Sequence, residues 1–390
     1  MELLEERRIR KVCPNCMTRT YREYGADKKE CPECKRQLRY ICRWNDGEEY
    51  LGCGCMIPED YFVVPTRIIA LAGAKATGKS QFLSVLTHRM GTGEICGNIG
   101  LRFQCADAMT MKKVEANRED LAQRRTVQET YPAYLDNPED DPLNESLEKA
   151  NSHAYRQINA NSVANVSDPY VFLVSRSVGE GRRKEERKEY LILFDTAGES
   201  LEKEEMRGRI PKYMAAADAV LFFVDPLQIP AVRDRIKVPE NIEILPREAM
   251  DRNSWVFDTV VGLLGSKTRF CLVLSKVDML MKDHSTDEEA EILFPPSSPV
   301  RRSNAVDYIE IDAISDFIER YLMQEELETR NMVMVMEGSF ANRHKFFALS
   351  ALGHAPIGGM IEIRPDPIRI DDPLSWVLKD TGSTLLSKGR

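Results

Sequence analysis

Eight residues, Gly73-Ala74-Lys75-Ala76-Thr77-Gly78-Lys79-Ser80, have the spacing G-x-x-x-x-G-K-S and directly follow the apolar run Ile68 to Ala72. A chain that leaves a strand, turns on glycines and enters a helix aims backbone N–H groups at an anion, and the helix N-terminus adds positive dipole. The chemistry this permits is the holding of a nucleoside triphosphate. Lys79 would reach the β- and γ-phosphates as a point charge. The Ser80 hydroxyl would ligate a magnesium ion bridging the same phosphates, and Gln81 completes the set. Gly73 and Gly78 supply the backbone freedom such a turn needs. A chance match in a glycine-bearing strand–helix turn is the competing explanation. The apolar strand before the loop and the amphipathic residues after it (Phe82, Leu83, Leu86, Met90) weigh against it.

A second apolar run, Tyr190 to Phe194, ends in Asp195-Thr196-Ala197-Gly198, a D-x-x-G pattern. A carboxylate at the carboxyl end of a buried parallel strand lies beside such a loop, where Asp195 can hold magnesium through water and the Gly198 N–H can meet the terminal phosphate. Two further runs end in polar motifs. Phe270 to Leu274 leads into Ser275-Lys276-Val277-Asp278, and Phe346 to Leu349 leads into Ser350-Ala351-Leu352-Gly353.

Each motif is short, but their order along the chain resembles the translation-factor-like class of P-loop GTPases. That resemblance implies a three-layer α/β P-loop domain with a mostly parallel sheet, binding GTP or GDP with magnesium. By the same resemblance Asp278 reads guanine and the Lys276 stem covers the ring, while Ser350, Ala351 and Leu352 form the loop that places a backbone N–H, that of Ala351, against the base. Two positions depart from the family pattern. Ser275 stands where asparagine or threonine is usual, which weakens the case for guanine. Glu199 stands where small GTPases often carry a glutamine that orients water, and its charge beside a phosphate implies slow hydrolysis. The threonine that completes the magnesium shell in such proteins falls on Thr126 or Thr130, with Thr130 preferred and ordinary surface residues the competing explanation. The resemblance thus gives catalytic roles to Lys79, Asp195, Gly198, Glu199 and Thr130.

The amino terminus carries an independent signal. Cys13, Cys16, Cys31 and Cys34 have the spacing C-x2-C-x14-C-x2-C, in which each pair can turn two sulfurs toward one tetrahedral ion. The pattern predicts a zinc ribbon, with a redox dithiol as the alternative. Cys42, Cys53 and Cys55 leave a second metal site open, although residues 1–60 contain no histidine to complete it. Seven of the ten cysteines precede residue 56, which suits metal and a reducing compartment rather than a disulfide framework.

These elements divide the 390 residues into a ribbon and linker at 1–60 and an enlarged nucleotide-binding domain at 61–390. A helical insertion at 91–168 and a second insertion at 226–268 are the expected additions to a minimal domain. The mixed-charge stretch 179–189 is expected at a hairpin tip, 283–305 as a loop, Asp307 to Leu322 as a helix, Asp372 to Leu378 as a closing helix, and Thr381 to Arg390 as a frayed end. The chain opens without the apolar core of a signal peptide and has no uncharged run of bilayer length, so a cytoplasmic protein without a membrane span is expected. The net charge of −8 is uneven, because residues 1–43 hold twelve Lys/Arg against seven Asp/Glu. Four cysteinates with one zinc would offset part of that excess, which disfavours nucleic acid as a partner.

In order and composition the chain resembles bacterial double-GTPase families, which implies a switch working with a protein partner, itself a second GTPase. An ATPase, a nucleotide-binding scaffold without turnover and a zinc-ribbon nucleic-acid adaptor are the alternatives.

Overall fold

The computed structural model describes residues 40–41, 56–57, 60–96, 99–123, 169–179, 184–196, 201, 212–236, 252–280, 306–356, 360–361 and 364–386, apart from Phe62 and Glu326. Two short strands, β1 (Tyr40–Ile41) and β2 (Met56–Ile57), pair antiparallel. The four ribbon cysteines, Cys13, Cys16, Cys31 and Cys34, lie outside the described residues, as do Cys42, Cys53 and Cys55.

Seven strands form one sheet: β3 (Thr66–Ala72), β4 (Arg102–Cys105), β5 (Tyr170–Val178), β6 (Glu185–Asp195), β7 (Ala219–Val224), β8 (Arg269–Leu274) and β9 (His344–Ala348). Their order is β4-β5-β6-β3-β7-β8-β9. The five strands from β6 to β9 run parallel, while β5 is antiparallel to both β4 and β6. The chain is thus mixed α/β with a mostly parallel sheet, which is the coarser part of the fold that the resemblance implies.

Every residue of β3 and β7 is buried, because helices cover both faces of the sheet. Alternate residues serve opposite faces. Ile68, Ala70, Ile192, Phe222, Leu272 and Phe346 pack with Met214, Phe257 and Ile318 on one side. Ile69, Leu71, Leu193, Phe223, Val273 and Phe347 pack with Phe82, Leu86 and Val377 on the other. The helices that supply these partners are α1 (Lys79–Thr92), α2 (Ala108–Ala122), α3 (Lys212–Ala216), α4 (Pro230–Arg235), α5 (Arg252–Leu263), α6 (Tyr308–Gln324), α7 (Leu327–Ser339) and α8 (Asp372–Asp380).

Several local signals act as expected. Asp307 caps α6 by accepting from the Ile309 N–H at 2.9 Å, and Pro373 sits in the first turn of α8. Asp107 caps α2 by accepting from the Thr110 N–H at 2.6 Å. The β5–β6 hairpin turns between Val178 and Glu185, so the expected tip is shorter than 179–189. The insertion at 91–168 opens with a strand, β4, before α2, and its remainder from residue 124 lies outside the described residues.

The carboxyl end is not frayed where described. Glu189 on β6 is 1% exposed, and its carboxylate accepts from Arg67 Nε at 3.1 Å, Ser383 Oγ at 2.9 Å, and the Thr384 N–H and hydroxyl at 2.6 Å each. Arg176 donates to the Leu385 carbonyl at 2.8 Å and Arg187 to the Thr384 carbonyl at 2.9 Å. Polar residues that read as a solvated tail are instead ligands for a buried ion pair, which also draws Leu385 into the core. Helix α7 was likewise not expected. It follows α6 after two residues, and Glu337 on α7 acts on the carboxyl of Glu319 on α6.

Replacing Glu189 with Ala strands the buried Arg67 and frees the tail, so urea unfolding should show a loss of about 3 kcal/mol or more. A loss within about 0.5 kcal/mol, the usual range for a surface change, would contradict the clamp. Burial, reinforced by Glu337, pushes the Glu319 carboxyl up from 4.5 to about 6. A folded state that holds this proton longer than the unfolded chain gains stability below the ordinary carboxylate range and loses it as pH rises through about 6. Unfolding measured across that window should therefore be flatter for Glu319→Gln than for the parent protein. An unchanged slope would contradict the raised Glu319 carboxyl.

Candidate functional site

Residues 73–78 join β3 to α1 at the carboxyl end of the sheet's middle strand. The chain runs to β4, β5 and β6 on one side of β3 and then crosses to β7 on the other. Open α/β sheets form their binding crevice where the strand order reverses in this way. Gly73 has φ +137°, and a Cβ there would stand 2.5 Å from the Phe223 carbonyl oxygen on β7, so only glycine fits. Gly78 caps α1 with φ +87°, and Ala76 holds the left-handed region at φ +61° despite its Cβ.

What holds this loop is a set of side chains on its carbonyl oxygens. Lys79 Nζ donates to the carbonyls of Gly73 at 2.9 Å and Ala74 at 2.7 Å, and the Thr77 hydroxyl donates to Ala74 at 3.0 Å. Gln228 Nε2 donates to the Lys75 carbonyl at 2.9 Å. The Ser275 hydroxyl lies 2.8 Å from the Thr77 carbonyl and 3.1 Å from that of Val224, sharing its one proton between them. In a trans peptide the C=O and the following N–H point opposite ways. Fixing the carbonyls of Lys75 and Thr77 therefore turns the N–H groups of Ala76 and Gly78 away from those partners, where an anion can meet them.

At the start of α1 the Ser80 hydroxyl donates to Asp195 Oδ2 at 2.8 Å. Asp195 ends β6 and lies beside Leu71 in the sheet register. A hydroxyl and a carboxylate side by side are hard oxygen donors of the kind magnesium takes, with ligand phosphates and waters filling the other positions. Among the described residues no three His, Cys, Asp or Glu side chains converge on a metal position, so a cation here would rest on Ser80, Asp195 and the ligand's own oxygens. The Thr196 N–H donates to the Leu71 carbonyl at 3.2 Å, and the Thr196 hydroxyl meets that of Tyr213 at 2.9 Å. The Tyr213 ring stacks on Phe194 at 4.5 Å. Burial pushes the Tyr213 hydroxyl far above its ordinary range, so it keeps its proton.

The third motif reaches the same edge. Ser275 holds the loop as described, and the Lys276 stem passes 3.8 Å from where a Cβ on Gly78 would stand. Lys276 Nζ donates to Asp225 Oδ2 at 2.6 Å, and the other Asp225 oxygen accepts from the Leu227 N–H at 2.9 Å. Asp278 is buried in the short turn Val277–Leu280. The fourth motif adjoins it through a Val277 N–H to Leu349 carbonyl bond of 3.2 Å. Ser350 is buried and accepts from the Gly353 N–H at 2.9 Å, with Leu352 buried and Ala351 half-buried beside it. The structure thus brings together 73–81, Asp195, 275–278 and 350–352 along the carboxyl edge. Gly198, Glu199, Thr126 and Thr130 lie outside the described residues.

Sequence reading missed Asp225, Gln228, Asn253 and Tyr213. Asp225 had a signal, since it ends an apolar strand just as Asp195 does. The others carry none, because their partners are distant in the chain.

Over 343 residues the chain is 24% identical to a protein of Mycolicibacterium smegmatis that bears the name ESX-1 scaffolding and assembly protein SaeC. The match covers 85% of this chain and 79% of that protein. No protein-family model matches the chain. This similarity overturns both the expected membership of the translation-factor-like and double-GTPase families and the GTP-hydrolysing switch read from them. The ATPase, the nucleotide scaffold and the nucleic-acid adaptor fall with it, since the relative is named for scaffolding and assembly. The physical reason is one of scale: motifs of four to eight residues specify a local arrangement of dipoles and charges, whereas activity depends on the whole constellation.

Gly73→Ala should cost about 1–3 kcal/mol in denaturant unfolding, the scale of backbone strain at a forced left-handed position, with the clash against Phe223 added to it. Stability equal to that of the parent protein would show that the loop does not pass this close to β7.

Proposed function

We propose that this chain is a scaffolding and assembly factor that works through protein partners, and that its loop at 73–80 holds a phosphate-bearing ligand. The observation that carries the first part is the similarity along 85% of the chain to a protein named for scaffolding and assembly of ESX-1, which suggests a multiprotein secretion complex as the object of assembly. No helix among the described residues is long and apolar enough to cross a membrane. That fits a factor acting on a complex from outside the bilayer.

The second part draws on the loop. Pinned carbonyls, the N–H groups opposite them, Lys79 and the α1 N-terminus concentrate positive potential at one point, and Ser80 with Asp195 offers a magnesium position beside it. A bound phosphate would tie β3, β6 and β8 together at their carboxyl ends and stiffen the edge where the motif loops gather. The finer fold reading belongs to the same proposal: a P-loop domain preceded by a ribbon in which Cys13, Cys16, Cys31 and Cys34 share one zinc ion, supported by their spacing.

Deleting the chain from cells that encode it should remove the assembled complex from native gels, and restoring the parent sequence should bring it back. Full assembly in the deletion strain would overturn the scaffolding role. The ligand part has its own readout, titration of purified protein with magnesium tripolyphosphate. Lys79→Ala should weaken its binding by at least about tenfold. Equal binding by the parent and the variant would remove the loop from the account.

A further inference from the structure

Two buried amides outside the sequence motifs reach the phosphate loop, one directly and one through the other. Gln228 ends the short turn Pro226–Gln228 after β7, and its Nε2 donates to the Lys75 carbonyl at 2.9 Å. Asn253, in the first turn of α5, donates from Nδ2 to Gln228 Oε1 at 3.0 Å. Each side chain is 5% exposed. Amides taken this far from water are costly unless paired; both ends of Gln228 are bonded, as is Asn253 Nδ2, while Asn253 Oδ1 has no hydrogen-bond partner among the described residues.

The polarity of this relay is fixed from the loop end. A backbone carbonyl only accepts, so Gln228 must turn its Nε2 toward Lys75. That leaves Oε1, also only an acceptor, facing Asn253, which must therefore present Nδ2. Lys75 C=O and Ala76 N–H belong to one planar trans peptide and point opposite ways. Holding the carbonyl therefore aims the Ala76 N–H. The hold matters because Ala76 sits at φ +61°, a conformation a residue with a Cβ does not keep unaided. If the peptide turned over, its carbonyl oxygen would face the anion and repel it.

We propose that Gln228, seated by Asn253, is a positioning residue for the phosphate loop, and that it makes ligand affinity depend on where the first turn of α5 sits. This rests on reading 73–80 as a phosphate site. Ser275 orients the next held peptide, Thr77–Gly78, from β8. The amide relay does the same from the segment between β7 and β8, so a partner that shifts α5 would change ligand affinity without touching the loop.

The test uses the full chain, titrated with magnesium tripolyphosphate. Gln228→Met keeps the side-chain length and loses the donor, and Gln228→Glu puts an acceptor against a carbonyl. Each should raise Kd about tenfold or more, as expected for one lost hydrogen bond to a preorganised loop. Asn253→Ser, which touches no loop atom, should raise Kd about threefold. The double variant should bind no worse than Gln228→Met alone, because both act through one contact. In protein labelled with [15N]alanine, the Ala76 amide resonance should move when the probe binds the parent protein. In Gln228→Met it should start elsewhere and move less, a signature that a purely structural amide would not give. If Gln228→Met unfolds too readily to titrate, Asn253→Ser and the Ala76 resonance carry the test. Parent-like affinity with an unshifted Ala76 amide in these variants would overturn the relay and leave the phosphate site standing. A parent protein that binds no tripolyphosphate would overturn the site and the relay together.

Discussion

Peptide planarity is the constraint on which the carboxyl edge of this sheet depends. A loop can offer N–H groups to an anion only if the carbonyls of the same peptides point away from it, and here the groups that hold those carbonyls come from separate parts of the chain. Lys79 and Thr77 act from within, Gln228 acts from beyond β7, and Ser275 acts from the end of β8. The strand order that places β3 between β6 and β7 is what brings those residues to one point. Burial of β3, β7 and β8 on both faces then makes the arrangement rigid, since buried strands cannot slip register without exposing their apolar sides.

Much of this was legible in the residues. Strands β3, β6, β8 and β9 announced themselves as apolar runs, and two of the polar residues that follow such runs, Asp195 and Ser275, meet at the loop. Other elements were not legible, for physical reasons. Strand β4 has four residues, Arg102 to Cys105, too few to show a period. Helix α7 begins two residues after α6, and its few buried residues, among them Met332, Val333 and Met336, carry no start signal of their own. The tail at 381–386 looks like solvated chain until Glu189, nearly two hundred residues earlier, is seen to need its hydroxyls and N–H groups. Gln228 and Asn253 form their contacts through tertiary structure alone, and no spacing rule finds such a pair.

The functional reading divides along the same line. The structure brings the motif residues 73–80, Asp195 and 275–278 to one edge of the sheet, and what they hold there belongs to the proposal. They did not specify what the protein does, and the GTP-hydrolysing switch inferred from motif order gave way to a similarity spanning most of the chain with a protein named for scaffolding and assembly. A site and a role are separate properties of a fold. A scaffold can use a bound anion simply to join neighbouring loops, because a ligand that binds only the folded form adds its binding free energy to that form's stability.

Hydrogen exchange across residues 66–83, followed by mass spectrometry with and without magnesium tripolyphosphate, tests the central claim most directly. N–H groups of Ala76 and Gly78 aimed at an anion predict that the probe slows exchange in the loop and at the start of α1, and that Lys79→Ala abolishes the slowing. Exchange in that segment that is the same with and without the probe would contradict the account.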